Sequence, residues 1–234
     1  MAIFLTAGVR AHSPQALVLG IDEAGRGPGL GPMVLAAVAL DEVQAALLAE
    51  AGVQDSKVFG SSDAARQARA RLATLIRQHA AWVAVEICEV AEIDQFVARG
   101  GLNQLERDRA RLLVGRAPAC SRIIADGHAL FSPLTSELAQ LEARDRAESA
   151  HLAVAAASVC AKALRDELFQ EIATRYQPEF GVLRGGGYVN PATCAFVAEH
   201  VRRHGRLPPE ARKSWPWHGI PRGDDFALPA PRLR

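Results

Sequence analysis

The 234-residue chain contains no apolar run of about 18 residues, the length a membrane-spanning helix needs. Its first residues, MAIFLTAGVRAHSP, include a short apolar run with no basic stretch ahead of it, which argues against a secretory signal. With neither feature, a cytoplasmic protein is expected. Four cysteines (Cys88, Cys120, Cys160 and Cys194) stand singly, and no C-x-x-C pair occurs. Neither a zinc site nor a disulfide framework is suggested, so buried thiols in a reducing compartment are the simplest reading. A charge excess is missing too: Lys+Arg 27 against Asp+Glu 26 leaves a net +1. Bulk charge therefore does not announce a nucleic-acid binder, although a local basic patch balanced by acids elsewhere stays open. No internal repeat and no long linker is visible, so one domain over 1–234 is expected, with a core at about 16–176 and a C-terminal helical and tail region at about 177–234.

What is present is a series of short apolar runs and amphipathic stretches. Ala16–Asp22 (ALVLGID) and Met33–Leu40 (MVLAAVAL) read as buried strands, and the tight connection between them predicts a hairpin. DEVQAALLAEAG reads as a short helix stopped at Gly52. Asp63–Ala80 has helical apolar spacing, with Asp63 as the expected N-cap. Ala81–Cys88 is β-rich and predicts a third strand. Helices follow at Val90–Ala98 and Leu102–Val114, a short strand in Arg122–Gly127 that ends in Asp126 with Gly127 as a turn, a helix at Pro133–Glu142 and an extended piece near Ala143–Glu148. His151–Tyr176 and Pro191–Gly205 are further expected helices, the second opening on Pro and closing on Gly. Early strands in meander order, then strands alternating with helices, predict an α/β fold built on a mixed sheet flanked by helices.

Asp22 and Asp126 each fall at the C-terminal end of an expected strand, where ligands of open α/β sheets gather. Glu23 adjoins the first, and Glu148 follows the next extended piece. Four carboxylates from three places that converge cannot all stay ionised without cations. Hard oxygen ligands suit Mg²⁺ or Mn²⁺, and two such ions roughly 3.5–4 Å apart serve in-line phosphoryl displacement. Taken singly, each acid also reads as an ordinary surface residue at a loop end.

The stretch GIDEAGRGPGLGP (Gly20–Pro32) sets these acids beside backbone almost stripped of side chains. A phosphate or sugar reaches backbone N–H groups only where no Cβ intervenes, and Arg26 adds a planar donor fork. A dinucleotide fingerprint does not fit. Counting from Gly25, the sixth position is Leu30, and the loop leads into a strand. A Walker loop is excluded because no GK[ST] occurs.

DSK (Asp55–Lys57), GLNQLE (Gly101–Glu106), ADG (Ala125–Gly127), AAASVCAKALRD (Ala155–Asp166), GGGYVNPAT (Gly185–Thr193) and RKSW (Arg212–Trp215) follow the glycine loop in order. With that loop, they make the chain similar to type 2 ribonuclease H (ribonuclease HII), closer to its archaeal and eukaryotic branch, from Val18 to Trp215. The resemblance implies an RNase H-like mixed five-stranded sheet with a C-terminal helical extension. It implies a monomeric metal-dependent endonuclease that uses two Mg²⁺ or Mn²⁺ ions. Such an enzyme cuts the RNA strand of RNA–DNA hybrids, and cuts 5′ to ribonucleotides embedded in duplex DNA, leaving 5′-phosphate and 3′-hydroxyl ends. A relative that binds hybrids without efficient cleavage is the alternative.

By the same resemblance, Asp22, Glu23 and Asp126 are metal-site carboxylates. Glu148 stands where the family has an aspartate, ten residues before Ser158. Asp145, between Arg144 and Arg146, is the substitute if the register shifts. Gly25, Arg26 and Gly27 are expected on the sugar-phosphate, partly through backbone groups that sense the 2′-OH. Tyr188 is expected on the sugar of the following deoxynucleotide, and Lys57, Lys162 and Arg165 on phosphates. These types suit those roles, since phosphate contacts position a duplex while the 2′-OH separates RNA from DNA. The family's G-Y-P is here Gly187–Tyr188–Val189, with the next proline at Pro191. The tail, with Arg212, Lys213, Arg222, Arg232 and Arg234 around Trp215 and Trp217, reads either as an extra nucleic-acid arm or as a strap wrapped on the body.

Overall fold

A computed structural model describes residues 16–54, 59, 60 and 62–217. Lys57 and the tail residues Arg222, Arg232 and Arg234 lie outside them. The strands are β1 (Val18–Ala24), β2 (Met33–Leu40), β3 (Trp82–Cys88), β4 (Arg122–Asp126) and β5 (Leu141–Arg144). The helices are α1 (Glu42–Glu50), α2 (Asp63–His79), α3 (Val90–Val97), α4 (Leu102–Arg116), the single turn α5 (His128–Phe131), α6 (Leu152–Phe180) and α7 (Pro191–His204).

The sheet order is β3-β2-β1-β4-β5. β1 and β2 form the expected antiparallel hairpin, with Val18 opposite Leu40. β2 pairs antiparallel with β3, and β1–β4 and β4–β5 are parallel. This is the mixed five-stranded sheet that the motifs imply.

All eight residues of β2 are buried, because helices cover both of its faces. Val34, Ala36, Val38 and Leu40 enter the layer that holds Leu48 of α1, Leu72 and Ile76 of α2, and the alanines of α6. Met33, Leu35, Ala37 and Ala39 enter the opposite layer, with Ile93 of α3, Leu105 and Leu113 of α4, and Phe131. The period of two in a strand thus divides one apolar run between two cores.

α6 approaches β1 more closely than an ordinary helix–sheet contact permits. A Cβ at Gly20 would overlap the backbone of Ala153 and Val154. The alanine-rich start of α6, buried from Ala153 to Ala161, supplies the small side chains this approach needs.

Three expectations shift. The helix foreseen at Pro133–Glu142 is replaced by α5, a 3₁₀ turn at Ser132–Ser136, and β5. The spacing of Leu134, Leu138 and Leu141 looks helical, but Leu141 pairs with Ile123 in the sheet and Glu142 accepts from Arg122 Nε at 2.8 Å. The extended piece therefore begins earlier than Ala143, and Glu148 falls in a 3₁₀ turn, Ala147–Ser149. The N-cap of α2 is Ser62, whose hydroxyl accepts from Ala65 N at 3.2 Å; Asp63 is the first helical residue. α6 continues past Tyr176 to Phe180 despite Pro178, since the rings of Tyr176 and Phe180 both pack on Phe196, with centroids at 5.0 and 5.2 Å.

Gly20→Ala is expected to destabilise the protein by at least ~2 kcal/mol, because the collision is with backbone, which cannot rotate away. Urea unfolding checks this; a midpoint within error of wild type would mean that α6 is free to move off the sheet.

Candidate active site

Because β1 and β4 are parallel neighbours in the middle of the sheet, Asp22 near the end of one and Asp126 at the end of the other lie side by side at the C-terminal ends of these strands. Asp22 is buried, and Ser158 on α6 hydrogen-bonds to it. The backbone N–H of Glu23 also donates to Asp22 Oδ1, at 2.8 Å. Burial and then the charge of Glu23 push the Asp22 carboxyl well above the usual range, and Asp126 adds to the rise. Glu23 is raised as well, chiefly by burial and also by Asp126, against the opposing pull of Arg26.

Asp126 Oδ1 accepts from Ala147 N at 2.8 Å, which docks the Ala147–Ser149 turn against the end of β4. Glu148, buried in that turn, is thereby carried to the neighbourhood of Asp126. Arg146 before it has φ 57, a left-handed conformation no other described non-glycine residue adopts, so the turn is tight enough to carry strain. Asp145 is engaged elsewhere, accepting from His128 N at 2.7 Å at the start of α5.

The donor set fits a divalent cation in chemistry. Carboxylates that raise one another's pKa hold a surplus of negative charge that a hard cation would relieve. Among the described residues, no three acids, histidines or cysteines are grouped as a ready metal cage.

The glycine loop between β1 and β2 is pinned from behind. Arg212, fully buried, donates from Nη2 to Gly25 O at 2.6 Å, from Nη1 to Arg26 O at 3.0 Å and from Nε to Gly31 O at 3.0 Å. Its backbone N–H reaches Gly29 O at 2.8 Å. Trp215, under whose ring plane the Arg212 guanidinium lies 4.7 Å from the centroid, donates from Nε1 to Gly27 O at 2.9 Å. Asp94 on α3 holds this strap by accepting from Lys213 N at 2.9 Å and Ser214 N at 3.0 Å. The carbonyls of Gly25, Arg26, Gly27, Gly29 and Gly31 are thus taken up by the strap, and the N–H groups of Leu30 and Gly31 donate to Gly187 O and Glu210 O. Burial lowers the pKa of Arg212 to about 9, which leaves it a cation at neutral pH.

Tyr188 adjoins the same loop. Its ring lies against Gly27, where an added Cβ would stand 3.3 Å from Cε1, and the residue is 56% exposed. Gly187 O accepts from Leu30 N at 3.0 Å, so the tyrosine's own loop is tied to the glycine loop. Val189, in place of the usual proline, sits beside Gly29.

A family model described as Ribonuclease HII matches residues 19–217. The chain belongs to the ribonuclease HII family. The Ribonuclease HII of Thermofilum pendens is 35% identical over 218 residues, covering 85% of this chain and 95% of its own length. The crystal structure of ribonuclease H2 from Pyrococcus horikoshii OT3 is similar with a TM-score of 0.73 at 26% identity, over 85% of this chain and 93% of that one. Bst-RNase HIII in complex with Mn²⁺ gives 0.63 at 27% identity, over 82% and 63%. Ribonuclease HII proteins are metal-dependent endonucleases of the ribonuclease H class, active on RNA–DNA hybrids, and this chain is an enzyme of that class.

Of the residues expected at a ribonuclease HII site, Asp22, Glu23, Asp126 and Glu148 lie around the C-terminal ends of β1 and β4, and Gly25, Gly27 and Tyr188 on the adjoining loops. Two basic residues do not stand as expected. Arg165 is buried, with Nη2 on Leu30 O at 2.7 Å, and braces the glycine loop from within; burial lowers its pKa to about 10. A guanidinium enclosed in that way is not presented to a phosphate. Arg26 turns back to α4, where Nη1 donates to Glu106 and Nη2 to Asn103 Oδ1 at 2.6 Å. Lys162 stays partly exposed and pairs with Asp166, which Arg69 also holds, at 2.7 Å from Nη2. Trp215 and Trp217 are half-buried on the loop, so the strap reading describes the tail as far as Trp217. In the sequence Glu106 stands inside GLNQLE with no role of its own, and Arg212 only as one of the tail cations read as arm or strap. Nothing local marks a charged residue for burial.

A carboxyl whose pKa is raised by folding stabilises the protein below its unfolded pKa, and that contribution is lost as pH rises through the folded value. Asp22→Asn is therefore expected to raise the melting temperature of the metal-free protein at neutral pH, at about 2–4 °C per kcal/mol for a chain of this size. The gap to wild type should close as pH falls toward about 4. A melting temperature at or below wild type at neutral pH would show that Asp22 is not a repelled, buried charge.

Proposed function

We propose that this ribonuclease HII cuts 5′ to single ribonucleotides embedded in duplex DNA as well as within RNA–DNA hybrids, by hydrolysis at a site for two Mg²⁺ or Mn²⁺ ions, leaving 5′-phosphate and 3′-hydroxyl ends. The supporting observation is the juxtaposition of buried Asp22 and half-buried Glu23 and Asp126 with the Gly25–Gly27 loop and the ring of Tyr188 lying against it. Asp22, Glu23, Asp126 and Glu148 would hold the ions, which supply charge neutralisation, an activated water and stabilisation of the leaving 3′ oxygen. Ser158 orients Asp22, and the Ala147 N–H orients Asp126.

The backbone at Gly25 and Gly27 would meet the ribose and phosphate at a distance that only glycine permits. Tyr188 would cover the neighbouring deoxyribose, so that loop and ring together read an RNA-to-DNA junction. Lys162 would contact phosphate; Lys57 lies outside the described residues, and Arg165 is reassigned to bracing the loop. The chain would act as one domain and a monomer. No helix among the described residues is long and apolar enough to cross a membrane.

A second reading, in which the protein binds hybrids and cleaves them poorly, rests on Glu148, which stands where the family has an aspartate. Incubation with a duplex carrying one ribonucleotide, with Mg²⁺, Mn²⁺ or EDTA, separates the two: metal-dependent cuts 5′ to the ribonucleotide are expected, and binding without cutting would support the second.

Asp126→Asn should nearly abolish cleavage and leave hybrid affinity in place, since phosphate contacts elsewhere supply most affinity. Retention of more than about a tenth of the wild-type rate at saturating Mg²⁺ would remove Asp126 from the essential ligands. Tyr188→Ala should weaken cutting at one embedded ribonucleotide more than cutting of a long hybrid, which offers many registers; the contact is of a kind worth about 1–3 kcal/mol. Equal losses on the two substrates would argue against the junction role.

A further inference from the structure

Arg26 lies in the centre of the loop that faces the nucleic acid, yet both ends of the residue are held by the protein. Its carbonyl accepts from Arg212 Nη1 at 3.0 Å. Its guanidinium reaches α4, one turn of which supplies both acceptors: Glu106 Oε2 to Nη1, and Asn103 Oδ1 to Nη2 at 2.6 Å. The two partners differ in exposure. The Glu106 side chain is 0% exposed, whereas that of Arg26 is 39% exposed. Glu106 Oε1 is buried and has no hydrogen-bond partner among the described residues.

A buried carboxylate with one oxygen unmatched is a poor stabilising device, and well-packed apolar residues commonly serve a core as well or better. The geometry suits positioning instead. A free Arg26 would offer a mobile cation to any phosphate, which adds affinity and no discrimination. Tied to α4, it denies the loop that mobility and fixes where the flanking Gly25 and Gly27 backbone stands. A misplacement of about 1 Å in such a contact can cost a hundredfold in rate.

We propose that Glu106, with Asn103, is a positioning residue that holds Arg26 back on α4 and so sets the enzyme's discrimination for a ribonucleotide at an RNA–DNA junction. Glu106 acts through Arg26 and touches no substrate. The proposal rests on cleavage at embedded ribonucleotides as argued above.

The test is steady-state cleavage of a single-ribonucleotide duplex and of a continuous hybrid by wild type, Glu106→Ala, Glu106→Gln, Asn103→Ala, Arg26→Ala and the Glu106→Ala/Arg26→Ala double variant, well below each melting temperature. Glu106→Ala should lose about tenfold more kcat/KM on the single-ribonucleotide duplex than on the hybrid. Glu106→Gln, which keeps an acceptor for Nη1, should recover most of that selectivity. In the Arg26→Ala background, Glu106→Ala should change selectivity by less than about twofold, the non-additivity expected of residues acting as a unit. Equal losses on both substrates, or additive effects in the double variant, would overturn the proposal and leave Glu106 a structural ion pair. Should Glu106→Ala not fold, Asn103→Ala carries the test, since its contact is at the surface; it should shift selectivity in the same direction, and an unchanged ratio overturns the proposal. If wild type leaves the single-ribonucleotide duplex uncut while cutting the hybrid, the reading of function fails first and the proposal with it. A wild type that cuts both, with variants of unchanged selectivity, defeats the positioning role alone.

Discussion

The contact of α6 with β1 at Gly20 governs the placement of nearly every group at the site. Because no Cβ separates the Gly20 backbone from Ala153 and Val154, the helix axis lies close over the strand. Two residues beyond Gly20 the strand presents Asp22, and the helix at that depth presents Ser158 to it. The turn that starts the helix carries Glu148, and the same helix carries Lys162 and Arg165 further on. A helix held at ordinary distance by larger side chains would withdraw Ser158 from Asp22 and Arg165 from the glycine loop together.

The second constraint is electrostatic. Acids and bases are buried here in an arrangement that serves neither group fully. Asp22 and Glu23 are raised by burial and by neighbouring acids. Burial raises Glu106 to about 7 even with Arg26 bound to it, and Glu23 adds to the rise. On the other side, Arg165 and Arg212 are buried with carbonyl oxygens as their direct partners. Perturbed groups of this kind concentrate where chemistry is done. In the metal-free protein the site is a liability to stability, and it is the body of the fold, with its two apolar layers, that tolerates it.

Loop and strap illustrate how a segment poor in side chains becomes well defined. The residues from Gly25 to Gly31 have few side chains to pack, and glycine loses more conformational freedom on folding than any other residue. Here the definition comes from elsewhere: Arg212, Trp215, Arg165 and Gly187 bond the loop's backbone. The tail residues up to Trp217 are thus part of the site's framework.

Much of this was legible along the chain. MVLAAVAL is a strand because eight consecutive apolar residues have to be covered on both faces, and Asp126 closes β4 as its apolar run suggests, whereas β1 runs two residues past Asp22 to Ala24. The glycine loop and the order of the motifs sufficed for the family and for the sheet. Local pattern failed where a long-range partner outweighed it. Leu141 left a helical spacing to pair with Ile123, and Ser62 displaced Asp63 as a cap through one hydroxyl contact. The arginines were the least legible, since their stems and charge suit surface, phosphate or interior equally. Whether a guanidinium is exposed depends on which backbone carbonyls surround it. For Arg212 these belong to a loop whose Gly25 is 187 residues away in the chain, and for Arg26 the deciding acid lies 80 residues on. Residue types and their order determined what chemistry this protein can perform; only the tertiary structure decided which cations brace the loop from within and which remain free to meet a duplex, because that choice is made by partners distant in sequence.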